Sequence, residues 1–193
     1  MQTSVKKMTG NWDLGYVLDK HVLSSVYIGD NGYGHPQFDT TRSEAGEALF
    51  KLKYRSDWAQ LAPLAQELAA SIYPKFDRVG FLIPMPATNV RTRQPVTELT
   101  RALGQLVNTP VIEDLLIKKS NGTQLKDLAT KEEKMEALKN SFSVQDQIEG
   151  MGPWNALLVD DLFDTGASLE AACAVLRSYS KIRKLYVATL TWK

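Results

Sequence analysis

The stretch NALLVDDLFDTGASLEAACAVL, Asn155 to Leu176, decides how the rest of the chain is read. An apolar run, ALLV, is followed by three carboxylates at Asp160, Asp161 and Asp164, then a Thr-Gly-Ala-Ser turn, then an Ala/Leu-rich helical pattern. Strand, polar turn and helix in that order can be plain solvated punctuation. They can also hold a ligand that carries both hydroxyls and a phosphate.

Two look-alikes are weighed first. DTGAS, Asp164 to Ser168, resembles the active-site turn of retroviral-type aspartic proteases. Those need two such aspartates sharing a proton, whereas this chain has one copy, with a helix behind it. DDLFD, Asp160 to Asp164, matches the DDxxD of isoprenoid synthases, which works on a helix; ALLV before it and Thr-Gly after it break that helix. A third reading uses every residue of the loop. In an open α/β sheet, ligands bind beyond the carboxyl ends of the strands. A Thr-Gly-Ala-Ser turn that opens a helix presents backbone N–H groups, hydroxyls and the positive end of the helix dipole, a cradle for a monophosphate. Gly166 allows a positive φ and close backbone approach. Asp160 and Asp161 are acceptors for a vicinal diol, and diol plus 5′-phosphate means a ribose phosphate.

Composition is compatible with an enzyme or a binding domain. The 193 residues are 44% apolar and 23% charged, with a formal net charge of +1. That describes one ordinary globular domain with, at most, a small appended subdomain. It excludes a strongly polycationic nucleic-acid coat, though not a local basic patch. Cys173 is the only cysteine, so an intrachain disulfide and a cysteine zinc site are excluded. Set in LEAACAVL, it reads as a small buried hydrophobe. MQTSVKKMTGNW lacks the apolar stretch of a signal peptide, and no segment reaches the ~20 apolar residues of a membrane helix. The expected location is the cytoplasm.

Working outward, YVLDKHVLSSVYIG (16–29) is two short β-rich runs about a polar centre and predicts a hairpin. DNGYGHPQFDTTR (30–42) predicts an extended loop. Helical spacing begins at Ser43, and a second helix carries Trp58, Leu61, Ala65, Leu68 and Ile72 on one stripe. DRVGFLIPMP (77–86) is a compact strand. Pro95 suits a first helical turn, with Val96, Leu99, Leu103 and Leu106 as the buried face. TPVIEDLLIKK (109–119) predicts a strand, KEEKMEALKN (131–140) a helix, Ser168 to Tyr179 a helix and KLYVATLTW (184–192) a closing strand. The alternation predicts a doubly wound α/β fold on a mainly parallel sheet.

With these elements in hand, LLVDDLFDTGASL closely resembles the PRPP-binding motif of type I phosphoribosyltransferases, and the chain from about Thr41 onward resembles their ComF branch. FKLKYRSD (50–57) resembles the LKY element of ComF proteins. LIPMPATNVRTR (82–93) is similar to their pyrophosphate-loop region, and GTQLKDLATKEEKMEALKNSF (122–142) to their segment of Gln, spaced basic residues, Asn and Phe. The resemblance implies the fold of that superfamily over 43–193, with residues 1–42 as a β-rich hood.

It further implies that Asp160 and Asp161 bind the ribose hydroxyls and that Asp164, Thr165, Gly166, Ala167 and Ser168 wrap the 5′-phosphate. Asp164 is the candidate general base. Arg91 and Arg93 are candidates to grip a diphosphate bidentately. Mg²⁺ is expected on the oxygens of PRPP, since it keeps its waters and needs few protein ligands. The activity implied is transfer of a 5-phosphoribosyl group with release of pyrophosphate. The expected partners are PRPP, a nucleobase-like acceptor, single-stranded DNA or the competence machinery, and a second copy of the chain. An alternative from another class is a non-catalytic DNA-uptake or regulatory factor that uses the pocket as a ribose-phosphate sensor.

Several residues stay open between roles. Lys118, Lys119, Lys126, Lys131, Lys134 and Lys139 stand among Asp127, Glu132, Glu133 and Glu136, as a solvated helix or as a hood closing over PRPP. ComF proteins typically carry arginines there; lysines lack the bidentate fork. His21 and His35 lack partners at metal spacing. Tyr27, Tyr33 and Phe38 are candidates to stack on a base or simply to cover a sheet edge. The four-cysteine zinc ribbon found at the start of many ComF proteins is missing, and any zinc-dependent DNA contact goes with it.

Overall fold

A computed structural model describes residues 1–87, 91–119, 130, 138 and 141–193. The elements in chain order are β1 (Lys6–Met8), β2 (Leu14–Lys20), β3 (Val22–Asp30), β4 (Pro36–Arg42), α1 (Glu44–Tyr54), α2 (Leu61–Glu67), β5 (Phe81–Pro84), α3 (Pro95–Leu106), β6 (Leu116–Lys118), β7 (Phe142–Val144), β8 (Trp154–Phe163), α4 (Ala167–Arg177) and β9 (Ile182–Trp192). The central sheet has the order β1-β2-β9-β8-β5. β2, β9, β8 and β5 run parallel, and β1 is antiparallel at the edge. The protein is therefore an α/β fold on a mainly parallel sheet.

The layers follow from β8. Ala156 to Val159 are all buried, as a strand covered on both faces requires. Alternation sends Ala156 and Leu158 into one cluster, with Leu169, Cys173 and Leu176 of α4. Leu157 and Val159 enter the opposite cluster, with Leu49 and Leu52 of α1, Leu64 of α2, and Leu99 and Leu103 of α3. The sheet is thus sandwiched, with α4 on one face and α1–α3 on the other.

Local chemistry sets α1 in place. Ser43 caps it, its hydroxyl accepting the Gly46 N–H at 3.0 Å, and Glu44 and Glu47 complement the dipole in the first turn. A Cβ on Gly46 would stand 2.1 Å from the His21 carbonyl oxygen. Only glycine lets the start of α1 approach the end of β2 so closely.

The N-terminal third departs from expectation. β2 does not pair with β3; it lies in the central sheet, parallel to β9, with Gly15 opposite Val187 and Val17 opposite Thr189. β3 pairs antiparallel with β4 instead, so part of the supposed loop 30–42 is the returning strand. Asn31 builds the turn, its side-chain oxygen accepting the N–H groups of Tyr33 and His35 at 2.9 and 3.0 Å. β1 and β2 therefore belong to the main sheet, and within this N-terminal third the β3–β4 ribbon stands outside it.

Smaller differences follow the same logic. Leu106 ends α3 at 52% exposure because the helix runs past the core there. TPVIEDLLIKK splits, with Val111 making a single parallel bridge to Leu82 and Leu116–Lys118 pairing antiparallel with β7. The helix expected over 131–140 lies outside the described residues apart from Leu138, which is buried. Among the described residues no helix is long and apolar enough to cross a membrane.

Candidate functional site

The chain leaves β5 through α3 and returns at Val111 on one side of β5, while β8 lies on the other. Strand order reverses there, and such a reversal opens a crevice at the carboxyl ends of the strands. The Met85 N–H donates to the Val159 carbonyl at 2.8 Å, holding the two strand ends together. Beyond them lies a cavity of about 290 Å³ whose polar lining includes Lys53, Arg91, Lys118, Asp160, Asp161 and Ser168. That is at the small end of ligand pockets.

Strand alternation separates the two adjacent carboxylates. Asp160 continues the face of Leu158, on the side of β6 and β7, and Lys118 acts on its charge. Asp161 continues the face of Val159, toward α1, and its Oδ2 pairs with the Lys53 Nζ at 2.7 Å. Asp160 Oδ1 accepts the Asp161 N–H at 2.8 Å. Burial and the Asp161 charge nevertheless push the Asp160 carboxyl up to about 7. Burial pulls the Lys53 ammonium down, but the Asp161 carboxylate outweighs it and the pKa rises above that of an ordinary lysine. Lys118 is lowered, by burial, against the pull of Asp160. A carboxyl pushed up to about 7 beside the Lys53–Asp161 ion pair makes the site's charge sensitive to pH.

The turn after β8 has the expected backbone. Gly166 caps α4 in the left-handed region, φ +83° and ψ −8°, and a Cβ there would come within 3.0 Å of the Phe163 ring. The Glu170 N–H closes on the Gly166 carbonyl at 2.8 Å. Ser168 lines the cavity; Thr165, Gly166 and Ala167 stand just before it and Asp164 is exposed at the start of the turn.

The remaining candidates divide. Arg91 lines the cavity and donates through Nη1 to the Lys53 carbonyl at 3.1 Å. Arg93 does not line it. Its guanidinium stacks 3.8 Å from the Trp58 ring centroid, with Glu98 3.4 Å away, and it lines a neighbouring cavity. Tyr27, Tyr33 and Phe38 are exposed on the ribbon and do not line the cavity. His21 Nδ1 lies 3.1 Å from the Thr191 hydroxyl, which donates to the Asp161 carbonyl at 3.2 Å. His35 sits in the ribbon turn. No group of three or more His, Cys, Asp or Glu side chains able to hold a metal occurs among the described residues. Burial pushes the Cys173 thiol up to about 12, as befits a packing residue. Lys119 follows β6, whereas Lys126, Lys131, Lys134 and Lys139 lie outside the described residues.

Lys53 is the site residue that sequence reasoning did not assign. The available signal was a lysine beside buried Leu52, at the end of a helix that stops at the carboxyl edge of the sheet.

No protein-family model matches the sequence, and no curated protein is significantly similar to it. Solved structures are similar at low identity. A xanthine-guanine-hypoxanthine phosphoribosyltransferase from Helicobacter pylori is 19% identical, covering 71% of this chain and 76% of its own, with a TM-score of 0.47. An orotate phosphoribosyltransferase from Aeropyrum pernix is 16% identical over 89% of this chain and 76% of its own, with a TM-score of 0.44. The UMP synthase of Leishmania donovani is 14% identical over 84% of this chain, with a TM-score of 0.42, and the chain spans only 27% of it.

Proposed function

We propose that this chain binds PRPP as its Mg²⁺ complex and acts as a phosphoribosyltransferase of the ComF type, passing the 5-phosphoribosyl group to a nucleobase-like acceptor. The observation that carries the reading is a convergence. FKLKYRSD, LIPMPATNVRTR and LLVDDLFDTGASL, far apart in sequence, supply Lys53, Arg91, Asp160, Asp161 and Ser168 to one cavity. Those are the stretches that resemble ComF proteins.

The chemistry follows from the parts. The ribose hydroxyls donate to Asp160 and Asp161, while the turn at 164–168 takes the 5′-phosphate on N–H groups at the start of α4. Arg91, Lys118 and Lys53 supply positive charge for the pyrophosphate. The bond from ribose C1 to the pyrophosphate oxygen breaks, a bond from C1 to an acceptor nitrogen forms, and the acceptor's proton passes to a base, for which Asp164 is the candidate. Holding both reactants in line and stabilising the departing charge is what the protein contributes. Asp160 and Asp161 are hard oxygen donors of the kind Mg²⁺ accepts beside substrate phosphates. The ion's chemical role when bound is to neutralise the leaving pyrophosphate.

Calorimetric titration of PRPP, with and without Mg²⁺, tests the proposal. Micromolar binding is expected for the wild type. Replacing both ribose-binding carboxyls in Asp160→Asn/Asp161→Asn should weaken it by about a hundredfold or more. A folded wild type that takes up no PRPP would overturn the reading.

A further inference from the structure

Within the crevice, Lys53 keeps open donors. Its ammonium carries three donors, yet Asp161, at 2.7 Å, is the one hydrogen-bond partner it has among the described residues. The pair is well shielded, with side-chain exposures of 23% for Lys53 and 14% for Asp161. A shielded ammonium with open donors, facing a cavity rather than bulk water, is a site for an anion.

Its placement is specific. The Lys53 side chain reaches Asp161, at the end of β8, while its own carbonyl accepts from Arg91, on the loop after β5. One residue at the end of α1 therefore touches both sides of the crevice. The Asp161 oxygen bound to Lys53 is also an acceptor that a ribose diol would use.

We infer that Lys53 couples the two halves of the ligand, taking the pyrophosphate on its ammonium as the ribose hydroxyls take Asp161. This rests on the PRPP reading above. An anion that draws the ammonium toward itself leaves Asp161 more available to hydroxyl donors. Hydroxyls that engage Asp161 loosen its hold on Lys53 in turn. Each half therefore favours the other, and the coupling is reciprocal by linkage.

The test titrates inorganic pyrophosphate into the protein with and without saturating ribose 5-phosphate, beside a PRPP titration of each variant. For the wild type, ribose 5-phosphate should tighten pyrophosphate binding by about tenfold, within the usual range of coupling between sites. Lys53→Met should bring that ratio to near one. Lys53→Arg, which keeps the cation, should retain part of it. A Lys53→Met protein that binds PRPP and keeps the full ratio overturns this inference and leaves the PRPP reading intact. If Lys53→Met does not fold, a Lys53→Gln protein that keeps the full ratio overturns it, and so does an undiminished ratio in Asp161→Asn. A wild type that binds PRPP but shows no coupling also overturns it. A wild type that binds neither PRPP nor pyrophosphate sinks both.

Discussion

Two strands with apolar residues along them, β3 with VLSSVYIGD and β8 with WNALLVDDLF, end in opposite surroundings. In β8 the apolar run is continuous and helices cover both faces, so Ala156 to Val159 are all buried. In β3 the residues Leu23, Val26 and Ile28 are 53%, 60% and 63% exposed, and among the described residues the strand's one ladder partner is β4. Its contacts are local to the ribbon, such as the Tyr27 and Phe38 rings 5.8 Å apart. β3 is the richer of the two in β-branched residues and is still uncovered; what decides is whether a layer lies against the strand. The covered strand ends in a carboxyl, Asp160, whose charge the surroundings control, whereas the uncovered ribbon presents its aromatics to solvent, away from the cavity.

That contrast makes ordered predictions. Leu158→Ala empties a site in the middle of the core and should cost about 2–5 kcal/mol of stability, read by chemical denaturation. Gly166→Ala forces a side chain into the left-handed region against Phe163, and should cost about 1–2 kcal/mol while also weakening inorganic phosphate binding. A loss of neither would break the claim that this turn's backbone is special.

The third prediction concerns pH. The Asp160 carboxyl sits at about 7 in the folded protein, against about 4 for an unfolded aspartate. Between those values the native state holds the extra proton. The group's stabilising contribution is full below pH ~4 and fades as pH rises through ~7. Asp160→Asn removes that dependence, so the denaturation midpoint of the variant relative to wild type should be higher at pH 8 than at pH 5. Equal differences at both pH values would mean that Asp160 ionises like a surface carboxylate. The smallest effect belongs to the ribbon. Ile28→Ser should move stability by less than about 0.5 kcal/mol, as at other exposed positions, and a larger loss would show that something covers the ribbon in solution.

What the sequence made legible was local. The strand, acidic pair and Gly turn at 155–168 announce themselves because apolar run, carboxylates and glycine are punctuated within one segment. β5, the start of α3, α4 and β9 follow from periodicity and proline. The pairing of β2 with β9 joins residues about 170 positions apart, and no local pattern encodes it, so sequence proximity alone points to β3 as the partner of β2. Arg91 and Arg93 are indistinguishable in LIPMPATNVRTR. The position of Trp58, set by another element, draws Arg93 onto its ring and leaves Arg91 at the crevice. Lys53 looks like any lysine in an amphipathic helix until the sheet brings Asp161 to it.

The most direct measurement is a crystal structure with PRPP and Mg²⁺ bound. The ribose hydroxyls should lie on Asp160 and Asp161, the 5′-phosphate on the turn at 164–168 and the pyrophosphate beside Arg91 and Lys53. Ligand density away from this crevice, for instance in the cavity lined by Arg78, Asn155 and Arg183, would contradict the assignment of the acidic turn as a ribose-phosphate site.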